Sequence, residues 1–449
     1  MKRYAIVGLG SRSSLYTHAL HTDFREFGTL VGFCDPNRTR MNYWNAHYAR
    51  SLGVEPVPTY TPADFETMLT EQAVDTVLVT SIDRTHDDYI LRAMRQGCDV
   101  ITEKPMTIDA PRCQRILDTI RETGRQLVVT FNYRYALLPT RIREVLRTGV
   151  IGDILSVHFE WLLDTRHGAD YFRRWHRDKR NSGGLMVHKA THHFDVVNWW
   201  LGSYPETVYG IGQLAFYGRE NAEKRGVTAF YERAKGSEAA RDDPFALHLD
   251  RHTRLTALYG DAEHEDGYVR DRSVFADGIS IEDDMAVLVR YASGATMTYH
   301  LTAYSPWEGW RIAFNGTKGR LEAEMHQNSY ISGGSGDPNT PNTPNTPNAR
   351  TVPWAKEADL REEAFIRVRP HWEKPFDVEV PTATGGHGGG DERLLRDLFL
   401  PEREPDPLGR AAGPIDGAYS LLTGIAANRS FATGLPVRIA DLVRFQSRF

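Results

Sequence analysis

The sequence predicts an α/β protein in two parts: an N-terminal doubly wound parallel sheet, then an α+β domain built on a large mixed or antiparallel sheet. Three observations carry this. Short β-branched runs alternate with helix-length stretches through the first third of the chain. Beyond about Asn132, strand patterns follow one another without helices between them. The chain, at 449 residues, is too long for one ordinary compact core and comfortable for two.

Tyr4–Val7 is a short apolar run that ends at glycines. Two basic residues precede it, as in a secretory leader. The run breaks at Gly8, however, and no small-residue cleavage site follows, so it reads as the buried first strand of a cytoplasmic protein. Leu30–Cys34 is the second strand and ends at Asp35. Asp75–Thr80 and Asp99–Thr102 follow, and Gln126–Phe131 closes the series. Helices such as Asp87–Gln96 and Pro111–Thr123 fall between them, which makes repeated βα units. The expected boundary therefore divides residues 1–132 from 133–449. In the second part a helix, Pro139–Arg147, leads to Gly149 and Gly152 and then to the strand Ile154–Leu163. Met285–Tyr291, Thr296–Leu301, Arg311–Asn315 and Arg320–Glu324 are further strands. Polar insertions lie near 218–272 and 326–372. The latter contains DPNTPNTPNTPN from Asp337 to Asn348, where proline forbids a helix or a central strand. Asp391–Phe399 and Ile415–Thr433 read as helices that pack back on the core.

Composition narrows the function classes. Hydrophobic residues make up 41% and charged residues 25%, a soluble globular profile. Mean hydropathy is −0.47, and no apolar run is long enough to span a bilayer. A formal net charge of −5 gives no electrostatic reason to expect nucleic-acid binding. The cysteines, Cys34, Cys98 and Cys113, are odd in number and lack metal-type spacing, so free thiols in a reducing compartment are expected.

The chemistry begins at Gly8-Leu9-Gly10-Ser11-Arg12-Ser13, which follows the first strand and opens a helix. Gly8 permits a tight turn, and Gly10 lets the backbone approach a pyrophosphate at the positive helix N-terminus. Ser13 replaces the third glycine of the dinucleotide fingerprint. Asp35, at the end of the second strand, can accept hydrogen bonds from ribose hydroxyls and would repel a 2′-phosphate. This favours NAD over NADP, although Arg38 and Arg40 lie close behind it.

The segment TSIDRTHDDYILRAMRQGCDVITEKPM, with Glu103-Lys104-Pro105 near its end, resembles the Gfo/Idh/MocA oxidoreductases. The resemblance continues through Asn132-Tyr133-Arg134, Gly149–Gly152 and GGLMVHKATHHFDVVNWWLG at Gly183–Gly202. It implies a Rossmann domain followed by an open-faced sheet domain, NAD between them, and a sugar, cyclitol or related polyol as substrate. Lys104 matches the lysine that contacts substrate and nicotinamide ribose, and His192 the usual catalytic acid/base. Thr80, Ser81, His86, Glu103 and Asn132 join Gly8, Gly10, Ser11, Arg12, Ser13, Asp35 and Lys104 in the implied cofactor set. The family pattern D-x-G-x-H-x-x-D, aligned on Asp195, puts His188 where an aspartate is usual and Ala190 where a glycine is. Lys189 and His193 are further polar groups outside the pattern. An oligomer packed through the exposed sheet face is also implied by the resemblance only.

Independently, removing hydride from an alcohol carbon requires taking the hydroxyl proton. A desolvated lysine or a histidine can do that near neutral pH. On one helix His188 and His192 would share a face, with Asp195 a turn beyond. Two histidines at that spacing can ligate a metal, but no third ligand is fixed, so none is expected. Arg134, Arg174, Trp175 and His387 complete the expected substrate set. Rings suit sugar faces, and arginines suit a carboxylate, phosphate or sulfonate, so the carbohydrate can be anionic. His387 lies in the glycine-rich Gly385–Asp391, which is similar to a segment of NAD-dependent glycoside hydrolases on this fold. The leading expectation is a dehydrogenase or reductase. The alternative is a hydrolase that oxidises the sugar transiently, eliminates, adds water and reduces again. A non-catalytic dinucleotide sensor is disfavoured by Lys104 and His192.

Overall fold

The computed structural model describes residues 1–331, 364–380, 386–402 and 405–445. In the first part, β1 (Lys2–Val7), β2 (Gly28–Cys34), β3 (Thr59–Tyr60), β4 (Thr76–Val79), β5 (Asp99–Thr102) and β6 (Leu127–Val129) form a parallel sheet. Its strand order is β3-β2-β1-β4-β5-β6. The apolar runs lie in its middle, where Ala5, Ile6, Val77 and Val79 are fully buried, as expected for strands covered on both faces. Helix α1 (Ser13–His21) opens directly from the glycine loop, and α2 (Arg38–Leu52) follows β2. Asn37 caps α2, accepting from the Arg40 N–H, and Gly53 ends it in the left-handed conformation. The strand β3, two residues long, carries too little pattern to be read from sequence.

The second sheet contains, among the described residues, β7 (Ile154–Asp164), β8 (Pro205–Gln213), β9 (Asp284–Tyr291), β10 (Thr296–Ser305), β11 (Glu308–Gly316), β12 (Gly319–Asn328), β13 (Phe365–Pro370), β14 (Phe376–Val378) and β15 (Val437–Arg438). Their order is β14-β13-β12-β11-β7-β10-β9-β8-β15. All neighbours run antiparallel except β7 and β10, which are parallel, so the sheet is mixed. One face is covered by α3 (Leu185–His188), α4 (Ala190–Leu201) and α5 (Pro414–Thr433). The sequence pattern misses β8 because Gly210 and Gly212 interrupt it. Added Cβ atoms there would lie 2.7 and 2.5 Å from the ring of Phe431 on α5, so the glycines make room for the covering helix.

Two expectations are refined. The helix Gly390–Phe399 returns to the first domain, where Phe399 meets Tyr4 edge-on at 5.2 Å. The polar segment 218–272 is an ordered excursion that reaches the glycine loop and α2. The DPNT repeat lies outside the described residues. Cys34, Cys98 and Cys113 are buried and free. Among the described residues no helix is long and apolar enough to cross a membrane.

Candidate active site

The loops at the carboxyl ends of the parallel strands, the usual ligand position of an open parallel sheet, reach the second domain where Lys104, after β5, meets His188. Gly8 has φ of +84°, and a Cβ there would lie 2.3 Å from the Ser81 Cα, so only glycine lets the two loops meet. Ser13 fits in place of the third glycine because its buried hydroxyl donates to the Gly10 carbonyl at 2.7 Å. Asp35 accepts from the N–H of Leu9 at 2.6 Å and of Asn37 at 2.8 Å, so its carboxylate first of all holds the loop shape. Thr80 donates its hydroxyl to the Gly8 carbonyl at 2.6 Å.

Other members of the expected cofactor set are braced by one another. Arg12 pairs with Glu103 at 2.6 Å, and Tyr16 donates to the same carboxylate. Burial works against the Glu103 charge, but Arg12 and the Tyr16 hydroxyl outweigh it and hold its proton affinity below the usual range. His86 is buried with its ring nitrogens against the carbonyls of Pro105 and Ser81, so it ties two loops of the expected cofactor edge together. Asn132 donates to Asp391 at 2.7 Å, while its buried Oδ1 has no hydrogen-bond partner. A shaped glycine loop and an unpaired acceptor at the sheet's carboxyl edge fit a dinucleotide with a carboxamide end.

Lys104 donates to the His188 carbonyl at 3.0 Å. Burial pushes its amine down to about 8, against the attraction of Asp83 and Glu103. Asp83, which the sequence reading left without a role, sits on the loop after β4 and meets His188 Nδ1 at 2.6 Å. Burial raises the proton affinity of Asp83 well above the ordinary value and drives that of His188 well below. Tyr171, Trp175 and His176 pack their rings around His188. Arg174 is close enough to influence the charge of Asp83, His188 and Tyr259. Lys189 joins α3 to α4, with its amine 5.0 Å from the centre of the Trp161 ring. Burial lowers its proton affinity too, opposed by Glu308. His192 lies beside the rings of Phe131 and Tyr133.

Three of the expected substrate residues face elsewhere. His193 is stacked on Trp161 at 3.8 Å and bonded to the Tyr299 hydroxyl, inside the core. Asp195 and Arg134 form a buried ion pair at 2.6 Å, with Asp416 on the same guanidinium. The face carrying Asp195 thus points inward, because a charge without a substrate partner needs an arginine to be buried at all. His387 belongs to the turn Gly386–Gly389, and its side chain lies outside the described residues. Sequence reasoning missed Tyr259, whose hydroxyl accepts the Ser11 N–H at 3.0 Å. The two are 248 positions apart, and no local pattern links them. Among the described residues no group of three or more His, Cys, Asp or Glu side chains is placed to hold a metal ion.

Together, fold and site define an NAD(P)-binding oxidoreductase. The chain matches the oxidoreductase-family NAD-binding Rossmann fold over residues 2–131 and that family's C-terminal alpha/beta domain over residues 143–439. It belongs to the Gfo/Idh/MocA oxidoreductase family. YteT of Bacillus subtilis, named as an oxidoreductase, is 33% identical over 469 residues, covering 100% of both chains. D-glucoside 3-dehydrogenase of Escherichia coli is 27% identical over 200 residues, 44% of this chain and 54% of that one. Glycosyl hydrolase family 109 protein 1 of Akkermansia muciniphila is 27% identical over 195 residues, 41% of this chain and 40% of that one.

Proposed function

We propose that this enzyme uses NAD to oxidise or reduce a hydroxyl carbon of an anionic sugar, glycoside or cyclitol. The observation that carries the reading is the Lys104 amine held at 3.0 Å on the carbonyl of His188, whose ring meets Asp83; burial pushes that amine down to about 8. Bound NAD would be held by the Gly8–Ser13 loop, Asp35 and Asn132, and supplies the hydride acceptor or donor. Neutral Lys104 takes the hydroxyl proton during oxidation, and Asp83 stabilises the ammonium that results. His192, beside the rings of Phe131 and Tyr133, is the second candidate proton-handling group.

Anionic substrates suit the surplus of cations. Arg174 and Arg270 share one carboxylate, Asp170, and Arg174 and Lys104 both act on His176 and His188. The open face of the second sheet, where Ile211 is 65% and Leu288 52% exposed, supports self-association. The hydrolase reading is favoured by one observation: Lys189 is a second amine with lowered proton affinity in the same site, and elimination needs a second base. His193, buried in the core, cannot be that base.

Incubation with NAD and a panel of neutral and acidic sugars, cyclitols and aryl glycosides tests these readings. Reduced cofactor accumulating with an acidic substrate supports the dehydrogenase. Released aglycone at catalytic NAD, with solvent deuterium entering the sugar, supports the hydrolase. No turnover of any acidic substrate, beside clear turnover of neutral ones, would refute the anionic reading.

A further inference from the structure

The segment Leu249–Asp266 lies within the polar insertion, yet it is built against the adenosine side of the cofactor loops. Arg254 donates to the Ser14 hydroxyl at 3.0 Å, and its guanidinium lies over Trp44. The Leu258 carbonyl accepts from Arg40 Nε, and the Ala262 carbonyl from Asn37. Two carboxylates then follow in succession. Glu265 accepts the N–H groups of Arg38 at 2.5 Å and Thr39 at 2.8 Å, at the start of α2. Asp266 pairs with Arg40 at 2.7 Å.

These are the groups a 2′-phosphate would need. The ribose of a dinucleotide lies beside the acid that ends the second strand, here Asp35. A phosphate on it would seek the free N–H groups at the start of the next helix and a nearby guanidinium. Arg40 is 8% exposed, and one of its terminal nitrogens is buried without a hydrogen-bond partner, so a capable cation is present. The insertion has nevertheless placed a carboxylate on the N–H groups of Arg38 and Thr39 and on the other terminal nitrogen of Arg40. With Asp35, three carboxylates surround the position.

We infer that Glu265 and Asp266 are specificity-determining residues that exclude a 2′-phosphate, so that the insertion, together with Asp35, selects NAD over NADP. This rests on the NAD reading above and assigns it to residues from outside the Rossmann domain. The selection is electrostatic: each carboxylate both occupies a donor and repels the phosphate dianion.

Isothermal titration of the full chain with NAD, NADP and 2′,5′-ADP tests it, using Glu265→Gln, Asp266→Asn and the double variant, with thermal unfolding recorded for each. The wild type should bind NAD and discriminate against NADP. Each neutralised carboxylate should reduce the NADP-to-NAD ratio of dissociation constants by on the order of tenfold, the factor that about 1.4 kcal/mol makes. The double variant should bind 2′,5′-ADP measurably. A ratio unchanged in both single variants, with NAD still bound, overturns the inference, as does wild-type protein that binds NADP as tightly as NAD. Wild-type protein that binds neither nucleotide would instead overturn the NAD reading itself.

Discussion

At the level of single residues, the proposed proton chemistry rests on Lys104, whose amine donates to the His188 carbonyl and feels the attraction of Asp83. Lys104→Ala should keep the fold and lose about 10²–10⁴-fold in turnover, the usual contribution of a positioned acid–base group. Kinetics alongside thermal unfolding check both halves. In the oxidative direction the amine must be neutral, so the rate should rise with pH and level off above about 8. Asp83 holds the proton on Lys104, so Asp83→Asn should move that profile to lower pH. A shift upward, or none, would mean that another group sets the profile. Lys104 was legible in the sequence because its tripeptide context is specific. Asp83 was visible as a residue but carried no signal of its role, since its partner lies on a helix of the other domain.

At the level of elements, the glycine loop and α4 show two ways in which local sequence meets long-range constraint. The loop was legible down to its glycines, and its conformation explains them. Gly8→Ala should strain a left-handed position by about 1–2 kcal/mol, before the clash with Ser81 is counted. We therefore expect a lowered melting temperature and loss of NAD binding by calorimetry. For α4 the i,i+4 rule proposed that His188 and His192 share one helix face, with Asp195 a turn beyond. His188 instead ends α3 before the break at Lys189, and Asp195 turns toward Arg134. Arg134→Ala should destabilise the protein by roughly 3–5 kcal/mol, because it strips the guanidinium from a buried carboxylate. Denaturant titration measures this. Unchanged stability would return these residues to the substrate set.

For the whole molecule, the open sheet face and the insertion matter most. If the exposed face carries self-association, Leu288→Glu should shift the protein to a smaller species in size-exclusion chromatography with light scattering, without lowering NAD affinity. A wild-type protein that runs as a monomer would remove that role. The insertion links regions that are remote in sequence. Tyr259, Glu265 and Asp266 act on Ser11, Thr39 and Arg40 across more than two hundred positions.

The sequence alone determined the two-part α/β architecture, the cofactor loop and the lysine. Each is written in a short window: a period of apolar residues, a pair of glycines at fixed spacing, a motif at a strand end. Tertiary structure decided which histidine is core, which groups Asp83 and Tyr259 bind, and what the polar insertion covers. Those outcomes depend on which surfaces meet after the chain has folded. A buried charge or ring takes whatever partner the packing brings to it, and that partner has no fixed distance along the chain.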